Sequence, residues 1–260
     1  MLNKNSNISV DIILPNYNSE DFFEETIDSI FNQTFKNWNL IIVDDNSNLK
    51  NKEMIKRYSN DSRVKIIWLK RNKGTGFCRN IGLRYVKSNY IAFIDSDDIW
   101  YKDKLLNQIN YMLEKNFEFT YTNYLTFKTS QSFLKQNNKK NIVTPPKSFT
   151  FNEFIKNTSI GTSTMIIKKK LIGNTKFTKT KICEDYYFKC KILKKIDKAH
   201  CLSETLTKYR IRRNSLQSNK IKNLYWIWYI NKNYNRFNFL ENVISILFIS
   251  FNSIRKYGFK

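Results

Sequence analysis

Residues Tyr90–Trp100 read YIAFIDSDDIW. Tyr90–Ile94 is apolar at consecutive positions rather than alternate ones, the pattern of a strand covered on both faces. It ends abruptly in Asp95-Ser96-Asp97-Asp98. That puts carboxylates at the carboxyl end of a buried strand, the edge where open parallel sheets bind ligands. Trp38–Val43 (WNLIIV) ends the same way, in Asp44-Asp45-Asn46-Ser47. Ile8–Pro15 (ISVDIILP) and Val64–Leu69 (VKIIWL) are two further buried strands. Helical patterns lie at Asp21–Phe35 and near 51–59, 76–87 and 102–115. In the first, Phe22, Phe23, Ile27, Ile30 and Phe31 fall at helical spacing, with Ser19 as the expected N-cap and Glu20 and Asp21 in the opening turn. Strands alternating with helices imply an α/β fold, a Rossmann-like, mostly parallel sheet with helices on both faces.

The second half is less regular. Phe117–Phe127 (FEFTYTNYLTF) alternates like a strand with one wet face, and residues 129–148, polar with Pro145-Pro146, read as a loop or lid. Ser163–Ile167 suggests a strand and Glu184–Lys195 a helix; beyond residue 220 two helices interleave aromatics with Lys and Arg. The expected organisation is one half over 1–115, a second half of the same domain over 116–215, and basic aromatic C-terminal helices over 216–260.

Charge follows this division. The 260 residues carry a net +23, of which residues 1–130 contribute +2 and residues 131–260 contribute +21. A composition rich in Lys, Asn, Ile, Phe and Tyr is what AT-rich codons encode, and it raises Lys everywhere, but it does not put the excess in one half. The excess points to an anionic partner. The single His200 excludes mechanisms that need two histidines. Cys78, Cys183, Cys190 and Cys201 form no CxxC pair, and Cys183, Cys190, His200 and Cys201 have no common zinc spacing, so reduced thiols in a cytosolic protein are expected. The polar MLNKNSNIS start has no signal-peptide core, and the longest apolar stretch, Val243–Phe251, is far short of the ~20 residues of a spanning helix.

Asp44, Asp45, Asp95, Asp97 and Asp98 would repel one another at one edge unless a cation or hydrogen-bond donors held them. Asp also starts helices as an N-cap, which would suffice for Asp44 alone but not for Asp-Ser-Asp-Asp. Hard oxygen donors with no neighbouring His or Cys favour Mg²⁺ or Mn²⁺, which typically also bind a diphosphate.

The segments SVDIILPNYNSEDFFEETIDSIFNQTF, NLIIVDDNS, RNKGTGFCRNIGL, YIAFIDSDDIW and CEDYYF, in that order over about residues 8–215, resemble family 2 glycosyltransferases of the GT-A fold. The resemblance implies that Pro15 and Tyr17 flank the nucleobase, with Tyr17 stacked on it. It implies that Asp45 accepts a hydrogen bond from uracil with Asp44 alongside, and that Arg79 lies near the diphosphate or base. It gives Gly82 the role of close helix packing, Asp97 the donor sugar or ribose, Asp98 the metal (Mn²⁺ or Mg²⁺) and Asp95 a place in the donor site. The Glu184-Asp185 pair would supply the base, Asp185. Where relatives carry Tyr-Arg-x-His, this chain reads Tyr209-Arg210-Ile211-Arg212. Arginine cannot ligate a metal but pairs with phosphate oxygens, so Arg210 and Arg212, with Glu184, are expected at the diphosphate or acceptor.

Chemistry supports such roles: a departing diphosphate needs its charge neutralised, and an acceptor hydroxyl needs a base. An Asp-x-Asp phosphatase would want a Thr where Asp98-Ile99 stands, and a dinucleotide fold would want glycine at Arg79. A nucleic-acid-binding protein suits the basic half but leaves acids that would repel a polyanion. The expectation is an inverting transferase that moves a sugar from a UDP-sugar to a glycan hydroxyl in surface polysaccharide or lipopolysaccharide synthesis. It would take a lipid-diphosphate-linked acceptor and no nucleic acid, and sit in the cytoplasm, peripheral to the inner membrane.

Overall fold

The computed structural model describes residues 8–128, 141–212 and 219–257, with side chains described as far as residue 254. Four strands of the first half, β1 (Val10–Asn16), β2 (Trp38–Asp44), β3 (Val64–Trp68) and β4 (Tyr90–Phe93), run parallel in the order β3-β2-β1-β4. Register brings their ends together: Asn16 lies opposite Asp44, and Ile13 opposite Phe93, two residues before Asp95. The acidic clusters therefore share one edge.

The sheet then passes into the second half. Following β5 (Ile99–Trp100), the strands are β6 (Phe119–Lys128), β7 (Ile142–Val143), β8 (Ser148–Phe149), β9 (Ile166–Lys168) and β10 (Ala199–Ile211). β9 is antiparallel to both β4 and β6, β6 is parallel to β10, and β5 closes the row antiparallel to β10. One sheet thus spans both sides of residue 115.

Alternate residues of β1 enter different cores, which is why its apolar run is continuous. Ile12 and Leu14 meet α1 (Phe23–Phe31), α2 (Leu49–Lys56) and α4 (Lys104–Glu114) through Phe23, Ile27, Ile55, Leu105 and Met112. Ile13 enters the core shared with α3 (Thr75–Leu83) and α7 (Glu184–Leu193). A Cβ on Gly82 of α3 would come within 2.7 Å of Ile13 Cγ2, so only glycine lets that helix seat so closely. The short helices α5 (Phe151–Phe154) and α6 (Lys169–Ile172) complete this layer, and α8 (Lys220–Ile230), a π-helical turn at Asn231–Asn235 and α9 (Phe239–Tyr257) lie against α5 and α7.

Several elements differ from their sequence patterns. α1 begins at Phe23 rather than Asp21, and Ser19 does not cap it: its hydroxyl donates to Asn16 Oδ1, while its carbonyl accepts from Phe22 and Phe23 N–H. β6 is buried on both faces, because its Thr and Asn positions lie in the sheet interior between β9 and β10 rather than in water. Thr162–Thr164 is a 3-10 turn, and the strand there starts only at Ile166. The polar sequence AHCLSETLTKYRI hides β10, the longest strand described. His200 on it stacks on Phe117, ring centroids 3.6 Å apart, a packing role. All four cysteines are free and buried. Of the 129–148 segment, residues 129–140 lie outside the described residues, as do Arg213, Asn214 and Ser215.

Candidate active site

The shared edge is assembled by Asn16. Its amide donates to Asp44 Oδ1 (2.9 Å), Ser47 Oγ (3.1 Å) and Asn51 Oδ1 (2.5 Å), while Asp44 Oδ2 accepts from Ser47 N–H (3.0 Å). Asp44 is wholly enclosed and holds the β2–α2 turn; it offers a ligand no surface. Asp45 accepts the backbone N–H groups of Lys73 and Gly74, both at 2.7 Å. That carboxylate pins the Gly74 turn, whose positive φ of 86° suits glycine, over the end of β2. Pro15 is buried in β1 opposite Val43, whereas Tyr17, just beyond, is 51% exposed and presents a ring to any ligand at this edge.

The Asp-Ser-Asp-Asp turn divides its carboxylates. Asp98 is 1% exposed; its oxygens accept from Ser163 Oγ (2.5 Å) and Arg210 N–H (3.0 Å). The expectation that Asp98 holds a metal does not fit this placement, since both oxygens serve the protein interior. Burial, with Asp97 and Asp95 close by, pushes its carboxyl well above the usual range. The acids with exposure are Asp95 and Asp97. Asp97 pairs through Oδ2 with Arg212 Nε at 2.7 Å, and Asp95 through Oδ1 with Arg79 Nη2 at 2.5 Å. Burial lifts Asp97 to about 6 against the pull of Arg212.

Arg79 is buried and does not meet solvent. Its second nitrogen, Nη1, donates to Glu184 Oε1 at 2.6 Å, so one guanidinium joins the donor acids to the start of α7. Burial raises Glu184 to about 7, with Arg79 opposing. Next to it, Asp185 Oδ2 accepts from Lys189 Nζ (2.7 Å) and Thr162 Oγ1 (2.8 Å). Burial favours the neutral acid, but Lys189 and Arg79 more than offset it and hold Asp185 well below the usual carboxylate range. Lys189 is 3% exposed and also donates to Ile160 O at 2.7 Å.

Arg210 and Arg212 separate in the same way. Arg210 is buried, donating from Nε to Asp97 O (2.8 Å) and from Nη2 to Glu25. It braces the acidic turn and is not open to a diphosphate. Arg212 is exposed, its side chain paired with Asp97 and lying over the Phe22 ring. The Gly161–Thr164 segment supplies Thr162 to Asp185 and Ser163 to Asp98. Sequence reasoning missed Lys189, although its place four residues after Asp185 on a helix is the spacing of an ion pair.

Carboxylate oxygens are the donor set a hard divalent cation takes. Among the described residues no three His, Cys, Asp or Glu side chains converge as a cage. Asp95 and Asp97 each have one oxygen without a described partner, which suits an ion that completes its shell from a bound diphosphate and water.

A parallel sheet with an antiparallel strand inserted beside β4, carrying acids at the strand ends, is the architecture of the GT-A fold. The chain belongs to glycosyl transferase family 2, whose family model matches residues 11–176. It is a glycosyltransferase. Over 248 residues it is 31% identical to TuaG of Bacillus subtilis, which is named for teichuronic acid biosynthesis, covering 95% of this chain and 96% of that one. It is 33% identical over 256 residues to the Escherichia coli UDP-Glc:alpha-D-GlcNAc-diphosphoundecaprenol beta-1,3-glucosyltransferase WfgD, covering 96% and 95%. The fold matches S. aureus TarS 1–349 in complex with UDP-GlcNAc with a TM-score of 0.70 at 21% identity, over 97% of this chain and 74% of that one. Against the longer TarS chain this protein spans less than half, 44%.

Proposed function

We propose that this protein transfers a sugar from a UDP-sugar, with inversion, to a hydroxyl of a lipid-diphosphate-linked glycan in surface polysaccharide synthesis. The observation that carries the reading is the Arg79 bridge, which sets the Asp95–Asp97 edge and the Glu184–Asp185 pair side by side. The UDP-Glc donor and diphosphoundecaprenol-linked acceptor for which WfgD is named support the substrate classes. Tyr17 would stack on the base, with Asp45 at its edge.

Asp97, with Asp95, would hold a divalent ion, Mn²⁺ or Mg²⁺, which when bound supplies charge neutralisation to the leaving diphosphate. Arg212 would pair with oxygens of the diphosphate. In the transfer, Asp185 takes the proton of the acceptor hydroxyl. That oxygen bonds to the anomeric carbon from the face opposite the diphosphate, and the carbon–oxygen bond to the diphosphate breaks, releasing UDP. The depressed pKa keeps Asp185 ionised and makes it a weak base, so proton transfer would come late, once the attacking oxygen has become acidic.

Thermal stabilisation by UDP with Mn²⁺ or Mg²⁺, beside a single-stranded oligonucleotide control, tests the donor class. A shift with oligonucleotide and none with UDP would replace the reading by nucleic-acid binding. A nucleotide-sugar screen with mass spectrometry of the product then identifies the sugar.

A further inference from the structure

The last helix, α9, leaves a large apolar stripe exposed. Its body-facing side is mixed: Ile249 is buried in the core with Ile246 packed beside it, while Asn242 and Ser245 are also buried and take hydrogen bonds from Asn231 Nδ2 at 3.2 and 3.1 Å. Ser245 Oγ donates to Ile155 O at 2.6 Å, and Asn252 Nδ2 to Lys156 O at 3.0 Å. Asn231 in turn accepts from Tyr186 OH at 2.7 Å, next to Asp185. The opposite side carries Leu240, Ile244, Leu247, Phe248 and Phe251, all exposed, Leu247 by 63% and Phe251 by 64%. At 100° per residue these five fall on a single stripe about a quarter-turn wide.

A helix of a soluble domain buries its apolar stripe. Here the inward side also carries polar groups bonded to three separate backbone carbonyls, those of Trp228, Ile155 and Lys156, and to an asparagine cluster, so turning the stripe inward would strand those groups. A contiguous exposed apolar patch marks an interaction surface. Charge chooses its partner. Residues 216–260 hold seven Lys and Arg against one Glu, and Lys156 Nζ lies 5.4 Å from the Phe248 ring centroid. Pairing two copies would press two +23 chains together by their basic tails, whereas an anionic bilayer neutralises them. Among the described residues no helix is long and apolar enough to cross a membrane.

We propose that α9 is an interfacial membrane-binding helix that lays Leu247, Phe248 and Phe251 into the headgroup–acyl boundary of an anionic bilayer, with Lys156 beside the stripe on a lipid phosphate. A basic helix with a strongly apolar face binds membranes in this way. The inference stands on α9 alone and is independent of the donor and acceptor assigned above.

Flotation of the full chain with extruded vesicles tests it. The chain should float with phosphatidylcholine–phosphatidylglycerol vesicles, not with phosphatidylcholine alone, and the binding should weaken as salt is raised from ~0.05 to ~0.5 M. The triple variant Leu247→Ser, Phe248→Ser, Phe251→Ser should lower partitioning by roughly tenfold or more. These positions are exposed, so the melting temperature should hold; if the triple variant melts early, Phe251→Ser alone decides. No flotation at low salt, or equal flotation of wild type and variant, overturns the proposal. So does a wild-type dimer in light scattering that the variant abolishes, which would assign the face to a second copy.

Discussion

Arg79 Nη1 donates to Glu184 Oε1 at 2.6 Å, across 105 positions of sequence. With Nη2 on Asp95 Oδ1 at 2.5 Å, this buried guanidinium ties the end of β4 to the first turn of α7. Only arginine offers two parallel donors in a rigid fork, so lysine cannot span both carboxylates. Arg79→Met would leave the buried Glu184 and the half-buried Asp95 without their partner; a urea titration should show a loss of about 3–5 kcal/mol. Unchanged stability would mean that the bridge does not order the site.

Asp97 and Asp98 adjoin in sequence but should behave differently. Asp97→Ala should abolish metal-linked UDP binding in calorimetry while leaving the melting curve little changed. Asp98→Ala strands the Ser163 hydroxyl and the Arg210 N–H, and should cost about 1–3 kcal/mol of stability. Should Asp98→Ala instead remove metal binding from a normally stable protein, the assignment reverts to Asp98.

At the acceptor side, Asp185→Asn should keep UDP affinity and lose transfer by roughly 10²-fold or more, the scale of a lost general base. Lys189→Met tests how that carboxylate is tuned. With its ammonium gone, burial dominates and the Asp185 pKa rises, so the acid limb of the kcat/KM profile should move to higher pH. A profile identical to wild type would show that Lys189 only packs.

Glu184, raised by burial to about 7, makes stability depend on pH. Between its unfolded value near 4.5 and about 7 the folded state binds more protons, so stability contributed by this group falls as pH rises through that window. Glu184→Gln removes the titration. The difference in melting temperature between wild type and variant, followed from pH 5 to 8 without nucleotide, should therefore change in favour of the variant as pH rises. A constant difference would place the Glu184 pKa outside the window.

Gly82→Ala should destabilise by about 1–3 kcal/mol through overpacking, because the new methyl meets Ile13 Cγ2 at 2.7 Å. A neutral result in thermal melts would show that α3 can shift away.

Much was legible in the chain itself. Continuous apolar runs ending in Asp placed β1, β2 and β4 and their acidic edge, because burial on both faces writes itself as consecutive apolar residues. The order of motifs carried the family and brought Asp185 under suspicion. β10 was hidden, since a strand whose neighbours supply its cover can carry Thr, Ser and Lys. Which acid of Asp95, Asp97 and Asp98 faces a ligand was also beyond reach, as three neighbours share one sequence signal and only the chains packed around them separate their surroundings.

The sequence by itself determined the layered α/β fold, the acidic edge and the concentration of positive charge in the second half, all properties of local pattern and composition. Only tertiary structure decided that Arg79 and Arg210 are internal braces, that Lys189 and Thr162 hold Asp185, and that α9 turns Leu247 and Phe251 outward. Each of those depends on contacts between segments far apart in the chain, and a side chain's role there is set by which partners close around it rather than by its neighbours in sequence.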